Sequence, residues 1–416
     1  MYWLYNILIV LLSPFWLPWM WFRARKRGEQ PNWKERQGMY DLPVRKDGKR
    51  VWFHAVSVGE VVAAMPILRD VRALLPDHEI VLSVTTSSGH QTAREKAEGL
   101  FDHLVYFPID VARFQLAALQ RVRPSVVAIM ETELWFNFVW AARIFDARVL
   151  LVNGRISDRA FPRSRRIAFF YKALFAYVDR CLMQSAVDAE RIKILGAPSP
   201  EVFGNCKFDQ AVEGLDVDAA SLRSSYGLKD GVPVLVVGST RGPDEEKLVL
   251  DAIQAVGPLQ VIHAPRHLER IPELAETVRA RFGNVALRSK GETGSYILLD
   301  TYGELAKVYA LADVVVIGGG FENLGGQNII QPLAHGKPVL YGPHMQNFRE
   351  SSEAALRVGA SRVCASSSEL AEAIKEVLAD EGKQLAMGEA ARKLIRESLG
   401  ASRRYAEAIA AEANRK

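Results

Sequence analysis

The chain has 416 residues, about twice what one hydrophobic core usually organises, so two domains are expected. Its 49% hydrophobic and 24% charged residues exclude disordered, collagen-like and disulfide-scaffold classes, and three widely spaced cysteines, Cys181, Cys206 and Cys364, make no four-cysteine zinc site and fit a reducing compartment. The net charge of +5 is local: residues 1–22 carry none, residues 23–50 hold ten Lys/Arg against four Asp/Glu, and the remainder sums to −1.

Met1 to Phe22 is apolar and aromatic. Trp3, Trp16, Trp19 and Trp21 are four of the eight tryptophans, and Trp favours the membrane interface. Arg23, Arg25, Lys26 and Arg27 follow at once, which places them on the cytoplasmic side. About 20 helical residues span a bilayer core, but Pro14 and Pro18 each remove a helix hydrogen bond. The stretch therefore reads either as a span or as a short helix to Ser13 followed by interfacial aromatics. A cleavable signal peptide fits less well, because the basic run follows the apolar run and no small-residue cleavage site follows Phe22. Residues 1–22 are expected to anchor the chain, and their removal to leave the fold intact.

Beyond the basic segment, short β-type runs alternate with helical patterns. Strands are expected at 50–57, 79–84, 104–107, 125–130 and 148–152, with helices at about 59–75, 92–98, 113–122 and 135–145. A polar stretch near 209–230 interrupts the pattern. It resumes with strands at 232–237, 259–264, 286–288, 296–299, 314–317, 338–341 and 362–364, and a long helical tail over about 381–416. Such alternation builds parallel sheets. The expected fold is α/β, two doubly wound Rossmann-like domains facing a cleft, divided as anchor 1–22, first domain 23–208 and second domain 209–416. Ligands of these sheets sit beyond the carboxyl ends of the strands, so the loops that follow strands hold the candidates.

No metal-ligand cluster, phosphate loop of the Gly-x-x-x-x-Gly-Lys-Ser/Thr kind or Gly-x-Ser-x-Gly elbow occurs, which sets aside the chemistries those motifs carry. The first strand runs into Ser57-Val-Gly59-Glu60. Glu60 reads either as a general base facing the cleft or as the far end of a capping box reaching back to the Ser57 amide. Gly59 permits a close approach of backbone to ligand. The fourth strand runs into Met130-Glu131-Thr132-Glu133-Leu134-Trp135, two carboxylates that serve either the site or a helix cap. After the fifth come Asn153, Arg155, Ser157 and Asp158, and residues 153–172 hold six basic side chains against one acid, a solvated face or an anion-binding patch.

In the second half, Gly238-Ser239-Thr240-Arg241, Pro265-Arg266-His267 and Gly318-Gly-Gly320 through Gly325-Gly326-Gln327-Asn328 each follow a strand. Glycines before a helix N-terminus suit an anion, and the three loops together suggest a nucleotide phosphate site. A nucleic-acid binder is disfavoured, because the basic residues gather next to the apolar segment.

These motifs, with Gly204-Asn-x-Lys207-Phe-Asp209, Asp300-Thr-x-Gly303-Glu304-Leu305 and Gly342-Pro-His-x-x-Asn-Phe348, occur in an order that resembles the 3-deoxy-D-manno-octulosonic acid (Kdo) transferases of lipopolysaccharide biosynthesis, over essentially the whole chain. The resemblance implies a GT-B glycosyltransferase that is inverting and needs no metal or other cofactor. It implies a CMP-Kdo donor and a lipid A precursor as acceptor, at the cytoplasmic face of the cell inner membrane. It makes Glu60 the catalytic base and Glu131 a second carboxylate. It places Ser239, Thr240, Arg241, Pro265, Arg266, Gly303, Glu304, Gly325, Gly326, Asn328 and Gln331 on the donor side. Ser57, Gly59, Arg155, Ser157 and Lys207 fall to the acceptor or the donor carboxylate. Two positions depart from the family pattern: Gln331 stands where an acid suited to the ribose is usual, and Arg241 where His is usual. Gln can bond a hydroxyl but carries no charge. A GT-B enzyme with another nucleotide-sugar donor, a sugar-nucleotide epimerase or a weakened glycan-binding homologue are the other readings.

Overall fold

The computed structural model describes the chain except Arg27, Gln30, Pro31, Lys46, Gly48, Gly214 and Lys416, with nothing said of the Met20 side chain. Arg27 and Lys46 of the basic segment therefore lie outside the described residues. Two compact units form, Met1–Gln210 with Gly400–Lys416, and Ala211–Leu399.

The first unit holds a seven-stranded parallel sheet of β1 (Arg50–Ala55), β2 (Glu79–Val84), β3 (His103–Tyr106), β4 (Val126–Met130), β5 (Arg148–Gly154), β6 (Arg180–Met183) and β7 (Glu201–Val202), in the order β3-β2-β1-β4-β5-β6-β7. Helices cover both faces, so the strands are near-continuous apolar runs, as buried parallel strands must be. Successive residues alternate between two cores: Trp52 faces one with Phe138 and Val127, while Val51, Phe53 and Ala55 face the other with Val61 and Ile67. β6 and β7 were not foreseen; they are four and two residues long.

The second unit repeats the plan with β8 (Val234–Thr240), β9 (Gln260–Pro265), β10 (Ala286–Leu287), β11 (Tyr296–Leu298), β12 (Val314–Ile317), β13 (Val339–Tyr341) and β14 (Ser361–Val363), all parallel, in the order β10-β11-β9-β8-β12-β13-β14. Each sheet reverses its winding once, between β1 and β4 and between β8 and β12, and loops leaving a sheet at such a point diverge and leave a crevice. Two seven-stranded doubly wound parallel sheets of this kind are the GT-B fold.

The packing corrects the expectations for the C-terminal tail and decides between the two readings of the N-terminal helix. The C-terminal tail is two helices, Glu381–Ser398 and Ala401–Ala413, broken at Gly400, whose φ of 86° suits glycine. The second of these returns to the first unit, where Tyr405 and Ile409 are buried against the core containing Val61 and Ile67. Asp209 fastens the return by accepting from the Gly400 and Ser402 amides at 2.6 and 2.8 Å. The second domain therefore ends at Leu399 rather than at residue 416. At the other end, a helix runs unbroken over Tyr2–Lys26, through both prolines and past Ser13. Pro14 has no amide for the Val10 carbonyl, and the Ser13 hydroxyl donates to that carbonyl instead at 2.7 Å. This helix is long and apolar enough to cross a membrane, about 37 Å at 1.5 Å per residue. Its first turn is docked on the first unit: Tyr5 Oη donates to Asp110 Oδ2 at 2.7 Å, Asn6 Nδ2 donates to Asn137 Oδ1 at 2.9 Å, and the Tyr2 ring stacks on Trp140 at 4.2 Å. Residues 1–22 are thus tied to the first unit through Tyr2, Tyr5 and Asn6.

Candidate functional site

In the first unit the candidates gather at the winding reversal. Ser57 precedes the helix Val58–Leu74, and Glu60 is in its first turn. The capping box takes another form from the one the sequence suggests. The Ser57 side chain caps no amide; its hydroxyl donates to Glu60 Oε1 at 3.1 Å, and Glu60 Oε2 accepts from the Val56 amide, not that of Ser57, at 2.9 Å. The carboxylate is fixed by two donors and is 9% exposed. Burial pushes its carboxyl up to about 7; the Val56 amide opposes this, and the charges of Glu131 and Glu133 add to it. A carboxyl titrating near neutrality is suited to taking a proton at physiological pH. Beside it, a side chain built at Gly59 would meet nothing within 4 Å, so the backbone there is open to an incoming group rather than packed.

Glu131 leaves β4 in the left-handed region, with φ of 54°, a conformation that costs energy for a non-glycine residue and gathers at functional sites. Its Oε1 is 3.3 Å from Lys207 Nζ, an ion pair about one-fifth exposed on each side. Lys207 is led into place by Asn153 at the end of β5, itself at φ 51°, whose Oδ1 accepts from the Cys206 amide at 3.2 Å. Glu133 is a third carboxyl, raised by burial and by the Glu131 charge. It stands in the Glu-Thr-Glu run as a visible signal, and its influence on Glu60 is what the sequence leaves out. Ser157 is engaged locally: its hydroxyl accepts from the Ala160 amide at 3.2 Å, opening the helix Phe161–Arg166. Arg155 is half-buried.

In the second unit, four neighbouring strand ends carry the donor-side candidates. Ser239, next to last in β8, has φ of 61° where the strand's register shifts. Thr240 is buried, its Oγ1 2.9 Å from His263 Nε2, while His263 Nδ1 lies 2.8 Å from Tyr296 Oη. Burial lowers the His263 imidazole to about 3 and so keeps it neutral. Pro265 closes β9, and Arg266 is exposed beyond it, its amide donating to the Thr240 carbonyl at 2.8 Å. The Arg241 guanidinium donates to the Leu324 carbonyl at 3.3 Å and its amide to Glu245 Oε2 at 2.8 Å; Glu245 Oε1 accepts from the Phe321 amide at 3.2 Å. Glu245, in the first turn of the helix after β8, thus ties the β8 loop to the glycine loop.

The glycine loop differs from the expected anion cradle in two ways. The helix after it starts only at Ile330 and has five residues, so it offers little dipole. Asn328 Oδ1 is committed to the Ile330 amide at 2.9 Å. Several glycines also answer to packing: a Cβ on Gly318 would lie 2.6 Å from Thr240 Cα, one on Gly325 2.2 Å from Asn347 Nδ2, and one on Gly326 2.5 Å from Met345 Sδ. Glu304, after Gly303, is held by Arg288 Nε at 3.0 Å, by Tyr226 Oη at 3.1 Å and by the Thr301 hydroxyl. Its carboxylate braces the loop, and Gly303 at φ 87° makes the turn. Gln331 is half-buried in the short helix. Among the described residues, no three or more His, Cys, Asp and Glu side chains are placed to hold a metal ion.

Comparison with known proteins adds to this geometry. A model of the family described as 3-deoxy-D-manno-octulosonic-acid transferase (kdotransferase) matches residues 31–210. The chain is 32% identical to a 3-deoxy-D-manno-octulosonic acid transferase of Bordetella pertussis, over 97% of this chain and 98% of that one. It is 30% identical to a bifunctional glycosyltransferase/methyltransferase of Fusobacterium nucleatum subsp. nucleatum over 85% of this chain, and spans 56% of that longer protein. Among solved structures, UDP-GlcNAc 2-epimerase from Neisseria meningitidis has the same fold, with a TM-score of 0.59 and 13% identity over 84% of this chain and 99% of that one.

Proposed function

Because the chain belongs to the 3-deoxy-D-manno-octulosonic acid (Kdo) transferase family and is a glycosyltransferase, we propose that it transfers Kdo from CMP-Kdo to the 6'-hydroxyl of the tetraacyl lipid A precursor, lipid IV-A, at the cytoplasmic face of the inner membrane. The observation that carries this reading is Glu60, a carboxyl held near neutral titration by burial, fixed by two donors, and placed where the first sheet reverses.

The chemistry is a single displacement with inversion. The acceptor hydroxyl attacks the anomeric carbon of Kdo, and its proton passes to the Glu60 carboxylate. The new carbon–oxygen bond forms as the bond to the CMP phosphate breaks, and the electron pair leaves with CMP. No metal is required: the charge that collects on the phosphate is met by Arg266 and by backbone amides of the Gly238 and Gly318–Asn328 loops, donors aimed at where charge develops. Gln331 bonds the ribose by its amide. Lys207, paired with Glu131, is available to the donor carboxylate or to an acceptor phosphate. The apolar helix and the basic residues after it hold the enzyme at the membrane where its acceptor resides, and Arg155 with the basic residues of 159–172 meets acceptor phosphates.

Incubating the purified full-length protein with CMP-Kdo and lipid IV-A, followed by mass spectrometry of the lipid, tests the proposal. Lipid carrying added Kdo, with equivalent CMP released, is expected. Free sugar without a glycosylated lipid favours the epimerase reading, and transfer from a UDP-sugar alone another donor class.

A further inference from the structure

The helix Phe136–Ile144 begins five residues after Glu131, and its start ends the Glu131–Trp135 loop. Four backbone amides at any helix start need acceptors from outside the helix. Here the N-cap residue is Trp135, whose side chain makes no capping bond. The acceptors come instead from Asp110, on the loop after β3. Asp110 Oδ1 accepts from the Phe138 amide at 3.1 Å and Oδ2 from the Asn137 amide at 3.3 Å, while the Asp110 carbonyl accepts from Asn137 Nδ2 at 2.8 Å. Asp110 is 8% exposed. A carboxylate buried so far is tolerable only when its lone pairs are filled.

One filling donor comes from the N-terminal apolar helix. Tyr5 Oη reaches Asp110 Oδ2 at 2.7 Å, and Asn6 Nδ2 takes the Asn137 Oδ1 at 2.9 Å. The Tyr5 ring stacks on Phe136, the first residue of the supported helix, at 5.5 Å. The first turn of the apolar helix thus supports the helix start from outside, and that start holds the far end of a loop whose near end, Glu131, sits in a strained left-handed conformation.

We propose that Tyr5, Asn6 and Asp110 are positioning residues for the Glu131–Glu133 loop, so that the apolar helix sets the geometry of the carboxylate cluster as well as holding the protein at a membrane. This rests on the proposed transferase reading for its catalytic readout, and on nothing but the fold for its structural one. In the family reading it makes turnover depend on the docked state of the anchor: a chain whose first turn has come away from Asp110 keeps its donor site and loses alignment at Glu131 and Glu133.

The test uses the full chain in detergent or lipid, with Tyr5→Phe, which removes only the hydroxyl, and the double variant Tyr5→Phe with Asn6→Ala. Because misplacing reacting groups by about 1 Å costs roughly 100-fold in rate, a partial loosening of the loop should lower kcat by about 10-fold in the double variant. KM for CMP-Kdo should stay within about 2-fold, since the donor loops belong to the other unit, and the folded fraction should be unchanged. Hydrogen exchange is read in parallel, and the amides of 131–138 should exchange faster than in the parent while those of the Gly318–Asn328 loop do not. An unchanged kcat with unchanged exchange at 131–138 overturns the proposal. So does a loss of rate that only follows a loss of folded protein. If the parent itself transfers no Kdo, the transferase reading fails, and the exchange arm alone decides the positioning claim.

Discussion

Replacing Glu60 by Gln separates a base from a brace. Gln keeps the size, and its carbonyl oxygen can still accept from the Val56 amide, so the local hydrogen bonding largely survives. What is lost is the proton acceptor, and loss of a general base costs roughly 10²–10⁴-fold in turnover. What is gained is relief from a buried charge. The Glu60 carboxyl is raised from 4.5 to about 7, first by burial and then, against the Val56 amide, by Glu131 and Glu133. The folded protein therefore holds this proton more tightly than the unfolded chain does. The stabilisation is full below pH 4.5 and is lost as pH rises through about 7. Above that, the ionised form costs the parent up to about 3 kcal/mol, since each tenfold difference in proton affinity between the folded and unfolded chain is worth about 1.4 kcal/mol. Denaturant unfolding at pH 5 and pH 8 reads the difference. Glu60→Gln should be close to the parent at pH 5 and more stable at pH 8, while turnover falls at least about 100-fold. A variant that turns over within a few-fold of the parent, or that loses ground to it in stability as pH rises, refutes the reasoning and makes Glu131 the leading candidate.

Other outcomes follow from the same geometry. Since the Glu131 charge raises Glu60, Glu131→Gln should move the acidic limb of the pH–rate profile to lower pH; a limb that stays or rises contradicts the coupling. Gly318→Ala drives a Cβ to 2.6 Å from Thr240 Cα and should destabilise the second unit by about 1–3 kcal/mol, as overpacking does, read as a lower midpoint in denaturant. Calorimetry should show CMP binding that weakens on Arg266→Ala and tightens on Gln331→Glu, whereas equal affinity for UDP points to another donor class.

Much of this was legible in the sequence because buried parallel strands are near-continuous apolar runs: β1, β4, β8 and β12 announce themselves, and with them the loops at both reversals. β6 and β7 did not, because Arg180–Met183 and Glu201–Val202 are too short to rise above their surroundings. The return of Ala401–Ala413 to the first unit escaped for a different reason: an amphipathic helix shows which face it buries, not against what. Asp110 was invisible as a cap because it lies more than twenty residues before the amides it accepts, and short-range capping patterns cannot report it. Glycines between a strand and a helix N-terminus suggest an anion cradle, whereas Gly318, Gly325 and Gly326 are also required by close contacts with Thr240, Asn347 and Met345. Ser57 and Glu60 were recognised as partners, yet the bond runs to the Val56 amide, a detail of one residue that decides how the carboxylate is aimed.

The proposed reaction is a single displacement on CMP-Kdo driven by one base in the first unit. The configuration at the anomeric carbon of the transferred sugar, read by nuclear magnetic resonance of the lipid product, tests it most directly. Glu60 acting as base on the acceptor hydroxyl predicts one inversion relative to CMP-Kdo, with one CMP released per sugar transferred. Retention of configuration, or CMP released with free sugar in place of a glycosylated lipid, contradicts it.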